Sequence, residues 1–365
     1  MCRFLVYKGR SDILLSNLIL SPSHSILTQS YDSRLRLDTR RPHNGDGFGV
    51  GYYTPPELGP EPAIFTSTIP AWNCINLERL ASKTQSKLVF AHVRATTEGN
   101  LSEQNCHPFS CGSIMFMHNG GIGGWKYIKR KVGQSLRDEW YMLVQGGTDS
   151  EWIFVLFLDT LESMGYHPIR DAGPHGFGHA VLRKALLKTI ARINEFTRDG
   201  VPEDEARSLM NFAVTDGHSV VCTRYVSSKT DEAASLFFSS GTDWTEFVDV
   251  DGNKDWKMER KDKGADIVLV ASEPLTFDRD NWVTVPTNSV VTIHKQTVMI
   301  HPIIDEFWNP NPSHERSTQF AQTKGQTTTN EKKEVVVPGN GSIVTGGVGP
   351  DPGALRQRVE ALSVR

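Results

Sequence analysis

The alternation of apolar and polar positions predicts a mixture of strands and helices along the chain up to Trp308. Short runs rich in β-branched and aromatic residues indicate strands, because such side chains suit a pleated, half-buried surface. The predicted strands cover residues 87–94, 113–118, 211–215, 219–225, 236–240, 267–271 and 290–294. The clearest hairpin contains the two-residue turn Asp216-Gly217.

Two stretches predict helices that bury an apolar face. Thr148-Asp149-Ser150-Glu151 has the spacing of a capping box ahead of the apolar run 152–158. A longer helix is predicted over residues 180–196, and its buried face would hold Leu182, Ala185, Leu186, Ile190 and Ile193. Hairpins and separate helical blocks favour an α+β fold, in which antiparallel sheets pack against helices, over a doubly wound parallel sheet.

Composition changes abruptly after Trp308 and divides the 365-residue chain into two parts. Residues 309–365 hold one aromatic residue (Phe320), five prolines and seven glycines. A segment of this kind buries too little apolar surface to order itself, so we expect a disordered tail there. Within it, residues 353–364 are the one stretch suited to a short helix. No linker interrupts the preceding part, which predicts a single domain over residues 2–305.

The charge balance and the cysteines narrow the class of protein. Lys and Arg number 39 against 42 Asp and Glu, so the basic surface of proteins that bind nucleic acid or anionic lipid is not expected. Five cysteines are too few for a secreted fold held together by disulfides. The N-terminus lacks the pattern of a signal peptide, and no apolar run approaches the ~20 residues of a membrane span. These features predict a cytoplasmic protein with reduced thiols.

Cys2 is a candidate nucleophile because it directly follows the initiator methionine. Removal of Met1 would give this cysteine a free α-amino group. The unperturbed pKa values, ~7.7–8 for the amine and ~8.5 for the thiol, allow the amine to accept the thiol proton. Taken alone, Met-Cys favours a small residue that starts a strand.

Three further positions supply groups that such a nucleophile needs. Arg94 ends a predicted strand and can bind a carboxylate through two hydrogen bonds, or form a surface ion pair. Asn119 and Gly120 follow a buried strand, where their amide and N–H groups can stabilise an oxyanion or form an ordinary turn. Asp149 can bind an ammonium group or complement the helix dipole.

Together these groups describe a pocket for a γ-glutamyl group, which carries both charges on one carbon and a carbonyl three carbons away.

The sequence resembles the class II glutamine amidotransferases, which have the N-terminal nucleophile hydrolase fold. The motifs that carry the resemblance are Met-Cys-Arg-Phe (1–4), Asn-Gly-Asp-Gly-Phe-Gly-Val-Gly (44–51), Ala-His-Val-Arg-Ala-Thr-Thr (91–97), Asn-Cys-His-Pro-Phe (105–109), Phe-Met-His-Asn-Gly (116–120) and Gly-Thr-Asp-Ser-Glu (147–151). Ala-Ser-Glu-Pro-Leu-Thr (271–276), followed by Trp282 and Val-Pro-Thr-Asn (285–288), is similar to the stand-alone subgroup found in the fungal glutathione-degrading complex.

The resemblance implies a four-layer αββα sandwich with two mainly antiparallel sheets. It also implies a γ-glutamyl amide hydrolase in which Cys2 is the nucleophile and Asn119 and Gly120 form the oxyanion hole. Arg94 would bind the α-carboxylate of the substrate, and Asp149 its α-amino group. No cofactor or metal is implied. The implied substrate is glutathione or glutamine, and the implied partner is a metallopeptidase-like protein subunit.

One departure from the family bears on the reaction. The chain has no large acceptor domain after the predicted fold, which favours hydrolysis of glutathione to glutamate and Cys-Gly over ammonia transfer within the chain. The alternatives are a glutaminase that supplies ammonia to a partner synthase, a hydrolase of another γ-glutamyl thiol, and an inactive scaffold subunit. A second departure is Ala95, which stands where many relatives carry an aromatic residue.

Two other features have competing interpretations. Two cysteines and two histidines could form a zinc site: Cys106, His107, Cys111 and His118. Their spacing fits no standard structural zinc site, so packing of these side chains in the core is the simpler interpretation. Glu273 either orients the pocket or forms a hydrogen bond at the end of a strand.

Overall fold

Strands that pair antiparallel form two large sheets. The computed structural model describes residues 2–32, 44–95, 101–249, 252–261, 264–311 and 314–329. Within these residues the strands, in chain order, are β1 (Arg3–Leu14), β2 (Phe48–Tyr53), β3 (Pro62–Ser67), β4 (Gln85–Val93), β5 (Phe109–Cys111), β6 (Ile114–Gly121), β7 (Leu209–Thr215), β8 (Ser219–Arg224), β9 (Phe237–Gly241), β10 (Asp243–Val248), β11 (Lys254–Glu259), β12 (Ile267–Ala271), β13 (Val283–Thr284), β14 (Ser289–His294) and β15 (Thr297–Pro302).

Helices cover the outer faces of both sheets. In the same part of the chain they are α1 (Ser16–Ile19), α2 (Ile26–Tyr31), α3 (Ile75–Ala81), α4 (Trp125–Ser135), α5 (Asp138–Leu143), α6 (Asp149–Ser163), α7 (His179–Arg198) and α8 (Gln319–Thr323). No helix among the described residues is both long enough and apolar enough to cross a lipid bilayer.

The strand order explains how distant parts of the sequence meet. The larger sheet has seven strands in the order β13-β9-β12-β1-β4-β2-β3, and the smaller has six in the order β15-β14-β8-β7-β6-β5. Strand β1 therefore lies between β4 and β12, and it pairs antiparallel with both. Strands β10 and β11 form a separate hairpin.

Three hydrophobic clusters define four layers. One fills the space between the sheets and includes Phe4 and Phe90 of the larger sheet and Met117 of the smaller. A second joins the smaller sheet to helices α4–α7, and a third joins the larger sheet to α1–α3 and the β10–β11 hairpin. The α+β prediction and the αββα sandwich implied by the resemblance are therefore confirmed.

The central strand β1 is buried on both faces. Phe4 and Val6 belong to the cluster between the sheets, whereas Leu5 and Tyr7 belong to the cluster beneath the helices. Because side chains alternate along a strand, a nearly continuous apolar run satisfies both clusters. The strand is thereby fixed from both sides, and the position of Cys2 at its N-terminal end follows from this.

Two details of the predicted elements differ in the structure. Strand β6 does not end before Asn119 but continues to Gly121, pairing with β7 as far as Leu209. The hairpin between β7 and β8 has a three-residue loop, Asp216–His218, instead of a two-residue turn. The Asp216 carboxylate accepts N–H groups from His218 and Ser219, which stabilises the longer loop.

Part of the predicted tail is folded against the domain. Helix α8 lies within residues 314–329, and its buried Ala321 packs with Leu209 and Val226. Ser317 also forms a bridge with Asp231. Composition predicted disorder here because the segment has few apolar residues, but polar contacts to the domain compensate for them. The helix predicted over residues 353–364 lies outside the described residues.

Candidate active site

Cys2 lies at the end of β1, where the neighbouring strand brings it close to Ala95. Arg3 pairs with Val93 of β4, so the chain after β4 runs alongside Cys2. The half-buried Cys2 thiol lies 3.8 Å from the carbonyl oxygen of Ala95. The Arg3 guanidinium donates a 2.9 Å hydrogen bond to the Cys2 carbonyl oxygen. The backbone on either side of the thiol is therefore held in place.

Arg94 carries a buried guanidinium that is available for a ligand. Its backbone is fixed by hydrogen bonds to Asp46 and Gly47, which extend the contact between β2 and β4. The side chain is 3% exposed, and its Nη1 lies 3.5 Å from the carbonyl oxygen of Asp46. Among the described residues no carboxylate lies within 4.0 Å of this guanidinium. A buried charge of this kind is costly to leave without a counter-charge, so a carboxylate ligand is well suited to the position.

Asn119 connects the smaller sheet to β1, the strand that begins directly after Cys2. Its Nδ2 donates a 3.1 Å hydrogen bond to Ser272 Oγ, which also accepts the backbone N–H of Phe4 at 3.0 Å. The Ser272 N–H in turn donates to the Phe4 carbonyl oxygen at 3.0 Å. Asn119 is therefore tied to a residue only two positions from Cys2, although the two strands belong to different sheets.

Gly120 must lack a side chain for β6 to reach this position. A Cβ atom there would lie 1.9 Å from the carbonyl oxygen of Leu209 and 2.8 Å from His118 Nε2. His118 fills the adjoining space, with Nδ1 2.9 Å from Ser150 Oγ and Nε2 3.0 Å from the Leu209 oxygen. Burial lowers the pKa of His118, and the nearby Asp149 only partly opposes this effect.

Asp149 stands at the first turn of α6 and faces the end of β6. Its Oδ2 accepts the N–H of Ile122 at 2.8 Å, and its Oδ1 accepts the N–H of Ser150 at 2.8 Å. The Ser150 hydroxyl also donates to Oδ1 at 3.4 Å, whereas Oδ2 keeps a lone pair for a further donor. The half-buried carboxylate therefore lies directly beyond the Asn119-Gly120 pair.

The predicted capping box does not form. Thr148 occupies the N-cap position, but its side chain makes no cap hydrogen bond. Glu151 instead accepts the N–H groups of Gln145 and Gly146, at 2.8 and 2.6 Å. Burial raises the pKa of Glu151, and these two hydrogen bonds work against the increase. Spacing alone could not show that the loop before the helix would take the glutamate.

Glu273 is the centre of a buried charged cluster behind Cys2. Its Oε1 accepts a short hydrogen bond from Arg3 Nε, and its Oε2 lies 3.6 Å from His24 Nε2. Burial by itself would raise the pKa of this carboxyl, but Arg3 and His24 hold it below its usual value. Because Arg3 also contacts the Cys2 carbonyl oxygen, Glu273 helps to hold the start of β1 in place. The Ser-Glu-Pro motif at 272–274 was the sequence signal for it.

Gln326 and Thr327 are contacts of the site that the sequence did not indicate. Gln326 Nε2 donates a 2.7 Å hydrogen bond to Asn119 Oδ1. Thr327 Oγ1 lies 3.4 Å from Glu273 Oε1. Both residues belong to the segment assigned to the tail, where glutamine and threonine are common and carry no local signal.

The side chains considered for zinc do not assemble into a metal site. Cys106 Sγ lies 3.6 Å from two backbone oxygens, those of Ser67 and Ser102. His107 packs between His92 and Phe109, with ring centroids 4.1 and 4.5 Å away. In the described parts of the chain, a cluster with ligand spacing occurs at Glu139, Glu162 and His167.

That cluster is better explained by hydrogen bonding than by a metal. His167 Nδ1 accepts the backbone N–H groups of Ile169 and Arg170, both at 3.2 Å. The imidazole proton therefore lies on Nε2, which faces the Glu139 carboxylate. A protonated ring nitrogen does not bind a metal ion.

The structure thus brings all five predicted site residues to one region. Cys2 and Arg94 lie at the adjoining ends of β1 and β4. Asn119, which precedes Gly120 in β6, is joined to β1 through Ser272. Asp149 accepts the N–H of Ile122, the residue that follows β6.

Comparison with known proteins matches residues 16–315 to a family described as class II glutamine amidotransferases. The chain is 54% identical over 330 residues to the probable glutamine amidotransferase DUG3 of Saccharomyces cerevisiae, covering 89% of this chain and 90% of that protein. Over 126 residues it is 32% identical to γ-glutamyl-hercynylcysteine sulfoxide hydrolase of Mycobacterium tuberculosis, covering 33% of this chain and 50% of that enzyme.

A solved structure shares the fold. The glutamine aminotransferase class-II domain protein from Silicibacter pomeroyi aligns with a TM-score of 0.53 at 24% identity, over 83% of this chain and 100% of that one.

Proposed function

Because the chain belongs to the class II glutamine amidotransferases, we propose that it hydrolyses the γ-glutamyl bond of glutathione, with Cys2 as the nucleophile. The products would be glutamate and the dipeptide Cys-Gly. A γ-glutamyl amide hydrolase is supported by the family and by the Mycobacterium relative, whose name describes hydrolysis of a γ-glutamyl compound. Glutathione is the more specific part of the proposal.

The observation that carries the proposal is the buried guanidinium of Arg94, a residue on the chain segment that runs alongside Cys2. A γ-glutamyl group presents an α-carboxylate to such a charge. Its α-ammonium would interact with Asp149, whose Oδ2 accepts one backbone N–H and retains capacity for another donor. The two charges of the substrate would thus be bound by two opposite charges, which fixes the distance from the α-carbon to the thiol.

The first half of the reaction forms a thioester. The α-amino group of Cys2, exposed by removal of Met1, accepts the thiol proton directly or through a water molecule. The thiolate attacks the γ-carbonyl carbon, and negative charge develops on the carbonyl oxygen. The Asn119 Nδ2 and Gly120 N–H groups stabilise this oxyanion, each contributing ~3–4 kcal/mol. As the C–N bond breaks, the leaving amine takes the proton from the α-ammonium.

The second half releases glutamate. A water molecule attacks the γ-glutamyl thioester while the same α-amino group accepts one of its protons. The tetrahedral intermediate uses the same two oxyanion donors. Its collapse breaks the C–S bond, and the thiolate regains a proton from the α-ammonium. The enzyme is then ready for another cycle.

Two considerations favour glutathione over ammonia transfer within the chain. The described residues up to 311 form one αββα sandwich, and none of them builds a separate domain that could accept ammonia. Hydrolysis also makes a dipeptide, which a separate peptidase would consume. We therefore include a metallopeptidase-like protein subunit as the partner in the proposal. The five free cysteines are consistent with the reducing cytoplasm that we propose as its location.

The test measures glutamate released from glutathione and from glutamine, with the chain alone and mixed with candidate peptidase subunits. Intact mass must first show that Met1 has been removed, because a retained methionine blocks the amine. We expect release from glutathione to exceed release from glutamine. Cys2→Ala should abolish both activities, whereas Cys74→Ala should leave both unchanged.

Two outcomes would count against the proposal. Unchanged activity in Cys2→Ala would remove the cysteine as nucleophile. Release from glutamine alone, in every mixture, would instead identify a glutaminase.

A further inference from the structure

We infer that Gln326 is a positioning residue of the oxyanion hole, acting by fixing the orientation of the Asn119 amide. The inference rests on the proposed function, since it requires Asn119 to donate to the reacting carbonyl oxygen. Gln326 belongs to the C-terminal segment, defined here as residues 314–329. This segment would therefore be part of the catalytic apparatus and not a passive tail.

The contact is buried and directional. Gln326 is 4% exposed and Asn119 is 1% exposed, so water does not compete freely for their hydrogen bonds. Gln326 Nε2 donates to Asn119 Oδ1 at 2.7 Å, while Asn119 Nδ2 donates to Ser272 Oγ at 3.1 Å. The acceptor end of the Asn119 amide is thus directed at Gln326. Its donor end is directed at Ser272 and has a second hydrogen for another acceptor.

The orientation of the Asn119 amide decides whether Asn119 can stabilise the oxyanion. A carboxamide has a donor end and an acceptor end of nearly the same shape. With Nδ2 turned to the pocket, Asn119 stabilises a developing oxyanion; with Oδ1 turned there, it repels one. Ser272 cannot determine the choice alone, because a hydroxyl group can both donate and accept. The N–H group of Gln326 favours the productive orientation because only Oδ1 can accept it.

Thr327 acts indirectly on the donor end of the Asn119 amide, through Ser235 and Ser272. Its backbone oxygen accepts the N–H of Ser235 at 2.8 Å, and its hydroxyl lies 2.6 Å from Ser235 Oγ. Ser235 Oγ donates to the Ser272 carbonyl oxygen at 2.8 Å. Two consecutive residues of the C-terminal segment therefore act on the Asn119 amide, Gln326 directly and Thr327 through Ser235 and Ser272.

The segment is anchored on either side of this contact. Before it, the Arg316 guanidinium donates to the backbone oxygens of Ser228 and Asp231, at 2.9 and 2.8 Å. After it, the Thr329 N–H donates to the buried Glu232 carboxylate at 2.7 Å. These contacts fix the backbone, so the Gln326 side chain reaches Asn119 from a defined position.

The test compares Gln326→Met, which keeps the volume but removes the donor, with Gln326→Glu, which replaces the donor by an acceptor. We expect Gln326→Met to lower kcat for γ-glutamyl hydrolysis ~10-fold and Gln326→Glu to lower it ~100-fold, with KM within ~3-fold of wild type. The acceptor should be the more harmful because it attracts Nδ2 and turns the Asn119 amide over. Gln319→Met, at an exposed position of the same segment, is the matched control and should behave as wild type.

A double-mutant cycle separates positioning from general structural damage. If Gln326 acts through Asn119, then Gln326→Met should cause no further loss in an Asn119→Ala background. The rate at which iodoacetamide alkylates Cys2 should also stay within ~2-fold in both Gln326 variants, because alkylation needs no oxyanion hole.

The outcomes distinguish the inference from the proposed function. Active wild type with an equally active Gln326→Met variant would overturn the inference and leave the function intact. Additive losses in the cycle would also overturn it, because Gln326 would then act elsewhere. A wild-type enzyme that releases no glutamate would overturn the proposed function on which the inference rests.

Discussion

Arg94 is the residue whose environment bears most directly on substrate choice. A buried guanidinium recognises a carboxylate with two parallel hydrogen bonds, which a lysine ammonium cannot reproduce. Arg94 is 3% exposed, and its backbone is fixed by hydrogen bonds to Asp46 and Gly47.

Arg94→Lys should therefore raise KM for γ-glutamyl substrates ~10- to 100-fold while changing kcat much less, since charge-assisted hydrogen bonds contribute ~1.5–3 kcal/mol. Steady-state kinetics on glutathione and glutamine provide the measurement. Arg10→Lys is the control, because Arg10 makes an exposed pair with Asp266 at the other end of β1. A fall in kcat with an unchanged KM would assign Arg94 to another role.

At the residue scale, local motifs were enough to predict a set of candidate site residues. These residues lie near the ends of strands or at the start of a helix, where turn and capping residues give local sequence signals. They are Cys2, Arg94, Asn119 and Asp149. Gln326 meets Asn119 from 207 positions away. No local pattern can show such a contact, because it depends on where the folded chain places an otherwise ordinary glutamine.

Strand β6 carries the proposed oxyanion donors, Asn119 and Gly120, and there is little space around Gly120. The pairing with β7 brings the Leu209 carbonyl oxygen to within 1.9 Å of where a Cβ on Gly120 would be. At Gly121 the nearest atom to such a Cβ is Asp149 Oδ2, at 3.9 Å. Neighbouring glycines therefore make very different demands on the strand.

Gly120→Ala should lower the free energy of unfolding by ~1–3 kcal/mol, because the methyl group forces β6 and β7 apart. Gly121→Ala should lower it by less than ~1 kcal/mol, since its methyl group meets only an ordinary contact. Urea unfolding of both variants measures the difference. Equal stabilities would show that β7 moves aside at no cost.

The elements themselves were predictable to different degrees. Helix α7 matches the predicted periodicity, because one apolar face alternates with a polar one. Helix α6 is buried nearly all round, so its extent had to be inferred from its start. The end of β6 was predicted too early, because Asn-Gly-Gly normally indicates a turn and here the partner strand overrides that preference.

Three buried histidines connect the site to the stability of the whole molecule. Burial lowers the pKa of His92 to about 3, with a smaller contribution from Arg94. Burial also lowers the pKa values of His107 and His118. In the unfolded chain each would titrate near ~6.5. Between pH ~6.5 and the lowered values the unfolded state binds more protons, so stability present above ~6.5 is lost as the pH falls.

The free energy of unfolding should therefore decrease from pH 6.5 to pH 4.5, by up to ~1.4 kcal/mol per pH unit for each histidine. Urea unfolding across this range measures the slope. His92→Phe should make the slope shallower, and His301→Gln, at an exposed position, should leave it unchanged. An identical slope in His92→Phe would show that other groups cause the acid sensitivity.

At the scale of the whole molecule, composition predicted a boundary near Trp308, but the fold extends past it. Residues 314–329 are held mainly by hydrogen bonds, with only a small apolar contact at Ala321. Composition measures the apolar area that a segment can bury by itself. Composition does not show that a polar segment can form hydrogen bonds with buried polar groups of the domain, such as those of Glu232 and Asn119.

Hydrogen bonds connect Gln326 through Asn119 and Ser272 to Phe4, two positions after Cys2, and this has a consequence for protein synthesis. Translation at ~5–20 residues per second makes Cys2 and Gln326 roughly half a minute apart, with the glutamine later. During that interval a nascent chain has the Cys2 thiol but lacks Gln326, which contacts Asn119, the proposed oxyanion donor. The order of synthesis would thus delay full activity until almost the entire folded part has left the ribosome, so that fragments ending before the glutamine would be weak hydrolases.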